Sequence, residues 1–129
     1  RREDPIQLQS LHITCGTAGP QTAMIALKID GEVRRVTAEG NGPVDAAFNA
    51  IKTLVPHNAV LKLYQVSAIT AGTDAQAEVN VRMESPSGSV VTGQGSDIDT
   101  VVASAVAYIR ALCKLRAINE RQAPLPKAG

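Results

Sequence analysis

Two helix starts of related design, one in each half, constrain the fold of this chain more than any other feature. The first is Gly40-Asn41-Gly42-Pro43-Val44-Asp45-Ala46-Ala47 and the second is Gly95-Ser96-Asp97-Ile98-Asp99-Thr100-Val101-Val102. Each follows segments of strand pattern, so the order reads strand-strand-strand-helix twice. At the 55-residue offset of Gly40 and Gly95, Val36-Thr37 meets Val91-Thr92, Ile51 meets Val106 and Leu54 meets Ile109. The repeat implies one unit used twice, about 6–56 and about 57–117, within a single domain over 1–119. Two antiparallel three-stranded sheets and two helices around one core make this an α+β fold. Residues 120–129 turn polar and Pro-rich and are expected to be a frayed tail.

The periodicity places the elements. Residues 6–15 alternate with a change of phase near Ser10, which predicts a bulge. Over 22–29, Ile25, Leu27 and Ile29 face one way, and Met24, Ala26 and Lys28 the other. Asp30-Gly31 is a two-residue hairpin signal, with a return strand at 32–39. Pro43 suits the first helical position, and Asp45 in the first turn complements the helix dipole. Val44, Ala47, Phe48, Ile51 and Leu54 then form one apolar stripe. A long strand is expected at 59–70, and a turn at Gly72-Thr73-Asp74. Over 75–84, Ala75, Ala77, Val79, Val81 and Met83 form a dry face opposite Gln76, Glu78, Asn80, Arg82 and Glu84. Ser85-Pro86-Ser87-Gly88 leads to a short strand at 89–94. Ser96-Asp97-Ile98-Asp99 has the form of a capping box. It opens a helix with the stripe Ile98, Val101, Val102, Ala105, Tyr108, Ile109, Leu112 and Leu115.

Composition narrows the function. Phe48, Tyr64 and Tyr108 are the only aromatic residues apart from histidine, and Trp is absent. The core must be built from Ala, Val, Ile and Leu, and single-stranded nucleic acid finds no stacking platform. The formal net charge of +1, without a block of like charge, gives no pull towards nucleic acid or an acidic membrane. No run approaches a membrane helix and no signal peptide is visible, so a cytoplasmic protein is expected. Cys15 and Cys113 read as reduced, largely buried thiols. The missing initiator Met suggests a piece of a longer chain. His12 and His57 lack a second ligand at metal-binding spacing, and no local nucleophile motif occurs. The fragment is therefore expected to be non-catalytic, without a cofactor of its own.

The turn at 40–45 lacks the Lys and Ser/Thr of a P-loop and the full dinucleotide fingerprint. It reads as a tight, well-capped helix start that can also hold a small anion. Ala68, Ala71, Ala75 and Ala77 on either side of Gly72 either pack closely or leave room for a small apolar ligand beside the Tyr64 hydroxyl.

Three blocks carry a family resemblance. Gly40-Asn41-Gly42-Pro43-Val44-Asp45-Ala46, then Tyr64 to Val79, then Asp99 to Ile109, resemble the C-terminal regulatory domain of the α-isopropylmalate synthases over about residues 6–117. The resemblance implies an acyltransferase parent, which condenses acetyl-CoA with 2-oxoisovalerate on an N-terminal TIM barrel holding a divalent metal. It also implies that the present domain forms a homodimer and binds leucine near the dimer interface as a feedback inhibitor. Carried over by motif, the polar ends of leucine would meet Asn41, Gly42, Pro43, Val44 and Asp45, with Ser96 and Asp97 at the second start. Its isobutyl group would lie against Leu61, Tyr64, Ala68, Ala75 and Ala77. Related citramalate synthases sense isoleucine with a similar domain, and some members have lost their effector response.

Overall fold

The computed structural model describes residues 4–71 and 74–122. Its elements run β1 (Ile6–Thr14), β2 (Gln21–Ile29), β3 (Glu32–Gly40), α1 (Pro43–Leu54), β4 (Val60–Ala71), β5 (Asp74–Glu84), β6 (Val90–Asp97) and α2 (Thr100–Gln122). The strands form two antiparallel three-stranded sheets, ordered β1-β2-β3 and β4-β5-β6. The α+β class and the order of elements are those the periodicity predicts.

Local chemistry sets the register. Asp30 and Gly31 both have positive φ, 51° and 86°, as a two-residue hairpin requires, and Ile29 lies opposite Glu32. The register of β1 shifts between Leu8 and Ser10, so the phase change in the sequence is a bulge. It brings Leu8, Leu11 and Ile13 to one face, opposite Leu27, Ile25 and Ala23. A second shift between Leu61 and Leu63, unmarked in the sequence pattern, puts Leu61 on the same face as Tyr64, Val66 and Ala68.

Small residues bring the helices close. Ala46, Ala47, Ala50 and Ile51 of α1 are buried, and Val44, Phe48 and Leu54 are half-buried. The buried face is therefore rotated towards the alanines relative to the expected stripe. On α2, Ala103, Ala107 and Ala111 recur every fourth residue and lie on β6. A Cβ at Gly93 would stand 2.0 Å from the Ala107 carbonyl oxygen, and one at Gly95 2.4 Å from that of Ala103. Glycine is thus required on the strand where the helix backbone lies. The α2 side chains also cover the outer edge of β6. Arg110 donates to the Gln94 carbonyl at 2.9 Å and Lys114 to the Thr92 carbonyl, which blunts an edge that could otherwise pair with another strand.

The helices differ in length, with 12 residues in α1 and 23 in α2. Besides covering β5 and β6, α2 reaches β1, where Ile6 is buried and its carbonyl accepts the Cys113 thiol at 3.7 Å. The shorter α1 covers β3 and β2 and meets β4 through Phe48 against Tyr64. As a result β4 keeps apolar side chains in solvent: Leu61, Tyr64 and Val66 on the helix side, Leu63 and Ile69 on the other.

Several expectations are corrected. Ser96 belongs to β6, which runs to Asp97, so it cannot cap a helix. Asp99 caps α2 instead, its Oδ1 accepting from Val101 N–H at 2.8 Å and Val102 N–H at 3.3 Å. Ile98 lies outside the helix at 74% exposure. The dry face of β5 holds at Val79, Val81 and Met83, but Ala75 is exposed and Ala77 half-buried, because neither helix reaches that end. Cys15 is exposed, on the loop after β1, and Cys113 is half-buried; both are free thiols. α2 continues through residues expected in the tail, to Gln122. Asp74 opens β5, while Gly72 and Thr73 of the expected turn, like 123–129 of the tail, lie outside the described residues.

Candidate functional site

The first helix start has the means to hold a polar ligand. Gly42 is the N-cap residue in extended conformation and has no side chain to cap the helix. Pro43 brings no N–H, and Ala46 N–H bonds the Gly42 carbonyl at 2.9 Å. The N–H groups of Val44 and Asp45 have no carbonyl one turn earlier to meet, and the positive end of the helix dipole lies there. Asp45 folds back so that its Oδ2 accepts Asn41 N–H at 2.9 Å, which fixes the turn. A Cβ at Gly40 would come 2.3 Å from Ala46 N and 2.7 Å from that carboxylate oxygen.

The second start is chemically different. Asp99 already satisfies two first-turn amides, and Asp97 Oδ1 accepts Asp99 N–H at 2.9 Å. Ser96 pairs with Glu78 and Asp97 with Ala77, so by strand alternation their side chains point to opposite faces. The structure therefore separates these two residues, and leaves only Asp97 on the helix side with the other expected residues.

On that helix side three rows cross the second sheet: Tyr64–Val81–Gly93, Val66–Val79–Gly95 and Ala68–Ala77–Asp97. Leu61 lies beyond one end, opposite Met83, and Ala75 beyond the other. The expected apolar residues Leu61, Tyr64, Ala68, Ala75 and Ala77 thus share one face. It is an open face rather than a closed cavity, with Tyr64 37% and Val66 46% exposed.

Phe48 joins the two parts and was missed as a site residue. It stands three residues after Asp45, on the same side of α1, and its ring meets Tyr64 edge-on at 5.9 Å between centroids. Its place in the apolar stripe reads as a core position, which carries no mark of a bridging role. Val66 was also missed, although its spacing of two from Tyr64 and Ala68 places it on their face.

Tyr64 is held from behind. Its hydroxyl lies 2.7 Å from Ser104 Oγ, which itself donates to the Thr100 carbonyl at 2.7 Å. Ser104 has one proton to give, so Tyr64 is the donor of the first bond. Phe48 also stacks on Tyr108 at 4.3 Å and 25°, and the Tyr108 hydroxyl lies 2.8 Å from His57 Nε2. His57 Nδ1 accepts Ala59 N–H at 3.1 Å, so the proton of the neutral ring is on Nε2 and points to Tyr108. Burial and the nearby Lys52 charge hold the His57 pKa below its ordinary 6.5. Burial raises that of Tyr108 to about 12.

Among the described residues no group of three or more His, Cys, Asp or Glu side chains is placed to hold a metal ion. No described helix is long and apolar enough to cross a membrane.

The repeated order of elements, with an open-ended helix start beside an alanine-floored apolar face, defines a small α+β module built from one unit used twice. Comparison with known families gives it a place: residues 1–116 match the model of the LeuA allosteric (dimerisation) domain, and the chain belongs to that family. It is 58% identical over 126 residues to a 2-isopropylmalate synthase of Afipia carboxidovorans, covering 98% of this chain and 24% of that protein. A 2-isopropylmalate synthase of Rhodopseudomonas palustris strain TIE-1 is 56% identical over 119 residues, 92% of this chain and 22% of its own length. One of Nitrobacter hamburgensis is 55% identical over 126 residues, covering 98% and 24%. The chain spans about a quarter of the length of these relatives.

Proposed function

We propose that this chain is the leucine-binding, dimerising regulatory part of a 2-isopropylmalate synthase, whose acetyl-CoA condensation and divalent metal belong to an N-terminal barrel. The observation that carries this reading is the juxtaposition on Phe48. One turn of α1 away are the free first-turn amides and the Asp45 carboxylate; across the ring lies the open face of Tyr64, Val66 and Ala68. Free leucine has a carboxylate for the amides, an ammonium for an aspartate and a branched side chain for a floor of alanines. The uncovered apolar strand supports dimerisation, since a second copy seated on β4 would bury Leu61, Tyr64 and Val66 and close the ligand site. Asp45 and the α1 turn are the stronger polar anchors. Asp97 lies at the margin, and Ser96, on the opposite face, drops out of the proposed contacts.

Calorimetry on the dimeric chain tests this directly. Leucine should bind more tightly than isoleucine or valine, with selectivity limited by methyl placement to about 1–3 kcal/mol. No heat with any branched-chain amino acid would sink the sensor reading. A preference for isoleucine would instead indicate the sensor of a citramalate synthase. The exposed Leu63 and Ile69, on the sheet face away from the expected ligand, favour a second reading, a structural dimerisation domain without effector response. That reading predicts a tight dimer with no response to any amino acid, whereas leucine inhibition of the full-length enzyme that persists unchanged in Asp45→Ala would instead show the site assignment wrong.

A further inference from the structure

The Phe and Tyr rings of the protein all belong to one contact chain, with a histidine at its end. His57 bonds Tyr108, Tyr108 stacks on Phe48, and Phe48 meets Tyr64. The two ends have different surroundings. Tyr64 stands on the open face of β4. His57 stands between α1 and β4, in an open groove of about 600 Å³ whose lining includes Val55, Ala59, Leu112, Leu115 and Arg116. The groove gives the imidazole access to solvent protons, and both of its nitrogens are engaged.

We propose that protonation of His57 is transmitted through Tyr108 and Phe48 to Tyr64, and so regulates ligand binding at the β4–β5 face. The ligand arm of this proposal rests on the leucine-binding reading; the conduction from His57 to Tyr64 does not. The switching atom is Nδ1. Neutral, it accepts Ala59 N–H; protonated, it is itself a donor and the two N–H groups oppose each other. The ring must then turn or withdraw, which shifts its Nε2–H from Tyr108 and unsettles the stack behind Phe48. Of the charged groups around His57, Lys52 of α1 opposes protonation. Arg116 and Glu120 of α2 line the same groove, with Arg116 tied to Asp30. Lys62 of β4 and Glu84 of β5 line the adjoining groove, which shares Asn58, Ser85 and Pro86. A ligand that requires Tyr64 in its edge-on position against Phe48 favours neutral His57. By linkage, acid then weakens the ligand and the ligand resists protonation of His57 to the same degree.

Nuclear magnetic resonance on the whole chain separates the two arms. His12, exposed on β1, is an internal control. Without ligand, the Tyr64 ring signals should move with the midpoint of His57 and not with that of His12. The movement should vanish in His57→Gln and in His57→Asn, whichever folds as the parent does by circular dichroism. Calorimetry should then show leucine binding weaker by about fivefold or more, the lower end of ordinary coupling, at a pH well below the His57 midpoint read from its own resonances than at about pH 7.5. The variant should show no such change. Tyr64 signals indifferent to His57, or an equal acid weakening in the variant, would overturn the linkage even if leucine binds. Absence of leucine binding at every pH, with Tyr64 still tracking His57, would retire the leucine reading and uphold the conduction.

Discussion

Ser104 shows how much one buried hydroxyl can decide. It is fully buried on α2, gives its proton to Thr100 and receives that of Tyr64. Ser104→Ala should lower stability by about 1 kcal/mol, a typical net hydrogen-bond loss, because the half-exposed Tyr64 hydroxyl can recover water. Thermal unfolding measures that change, and broadened Tyr64 ring signals should accompany it. The two thiols should also part company. Cys15 is exposed, whereas Cys113 is half-buried with its pKa raised, chiefly by burial. Iodoacetamide followed by mass spectrometry should find Cys15 alkylated first. At this scale the first helix start was legible, because Pro43 and Asp45 each do one thing at one position. Ser96 was misread because S-x-x-D also fits an Asp cap preceded by a strand, and the capping pattern does not say where a strand ends. Phe48 looked like core because periodicity reports burial and is silent about which neighbours share it.

At the scale of elements, close packing of α2 on β6 dictates which glycines can change. Gly95→Ala would put a Cβ 2.4 Å from a helix carbonyl, so the helix must lift from the strand. A loss of about 1–3 kcal/mol is expected, the usual cost of overpacking. Gly42→Ala is the contrast: its φ is −171° and a Cβ there meets nothing within 4 Å, so only the poorer capping of Ala, about 0.5–1 kcal/mol, should be lost. Chemical denaturation of both variants reads the contrast. The strands and both helices were legible because alternation and the 3.6-residue stripe are strong over such lengths. The exposure of β4 was not. Its run of Val, Leu and Ile signals apolar surroundings, and a partner's surface and a protein interior leave the same pattern. The bulge at Lys62 was hidden for a related reason: with apolar residues on both sides, a change of phase leaves no gap in the alternation.

Across the whole molecule, one hydrogen-bonded pair shapes the response to pH. His57 has its pKa lowered in the folded protein, so as pH falls below about 6.5 the unfolded chain takes up the proton first and stability drops. Tyr108 has its pKa raised from 10.0 to about 12. Between those values the unfolded chain loses the proton first, and stability drops as pH rises. Melting temperatures should therefore hold a plateau with respect to this pair and fall on both sides. His57→Gln should soften the acid shoulder and leave the alkaline one in place.

The unequal helices have a consequence for how the protein is made. Of the described elements, β1 leaves the ribosome before the others and α2 after them, yet Ile6 and Cys113, 107 positions apart, are partners. Contacts of such separation form late and slow folding. The first sheet can pair as it emerges, but its first strand stays without a cover until the final helix is complete. A nascent chain arrested before α2 should expose Ile6 and Leu8 and draw chaperones or self-associate, then settle quickly once the last helix is released.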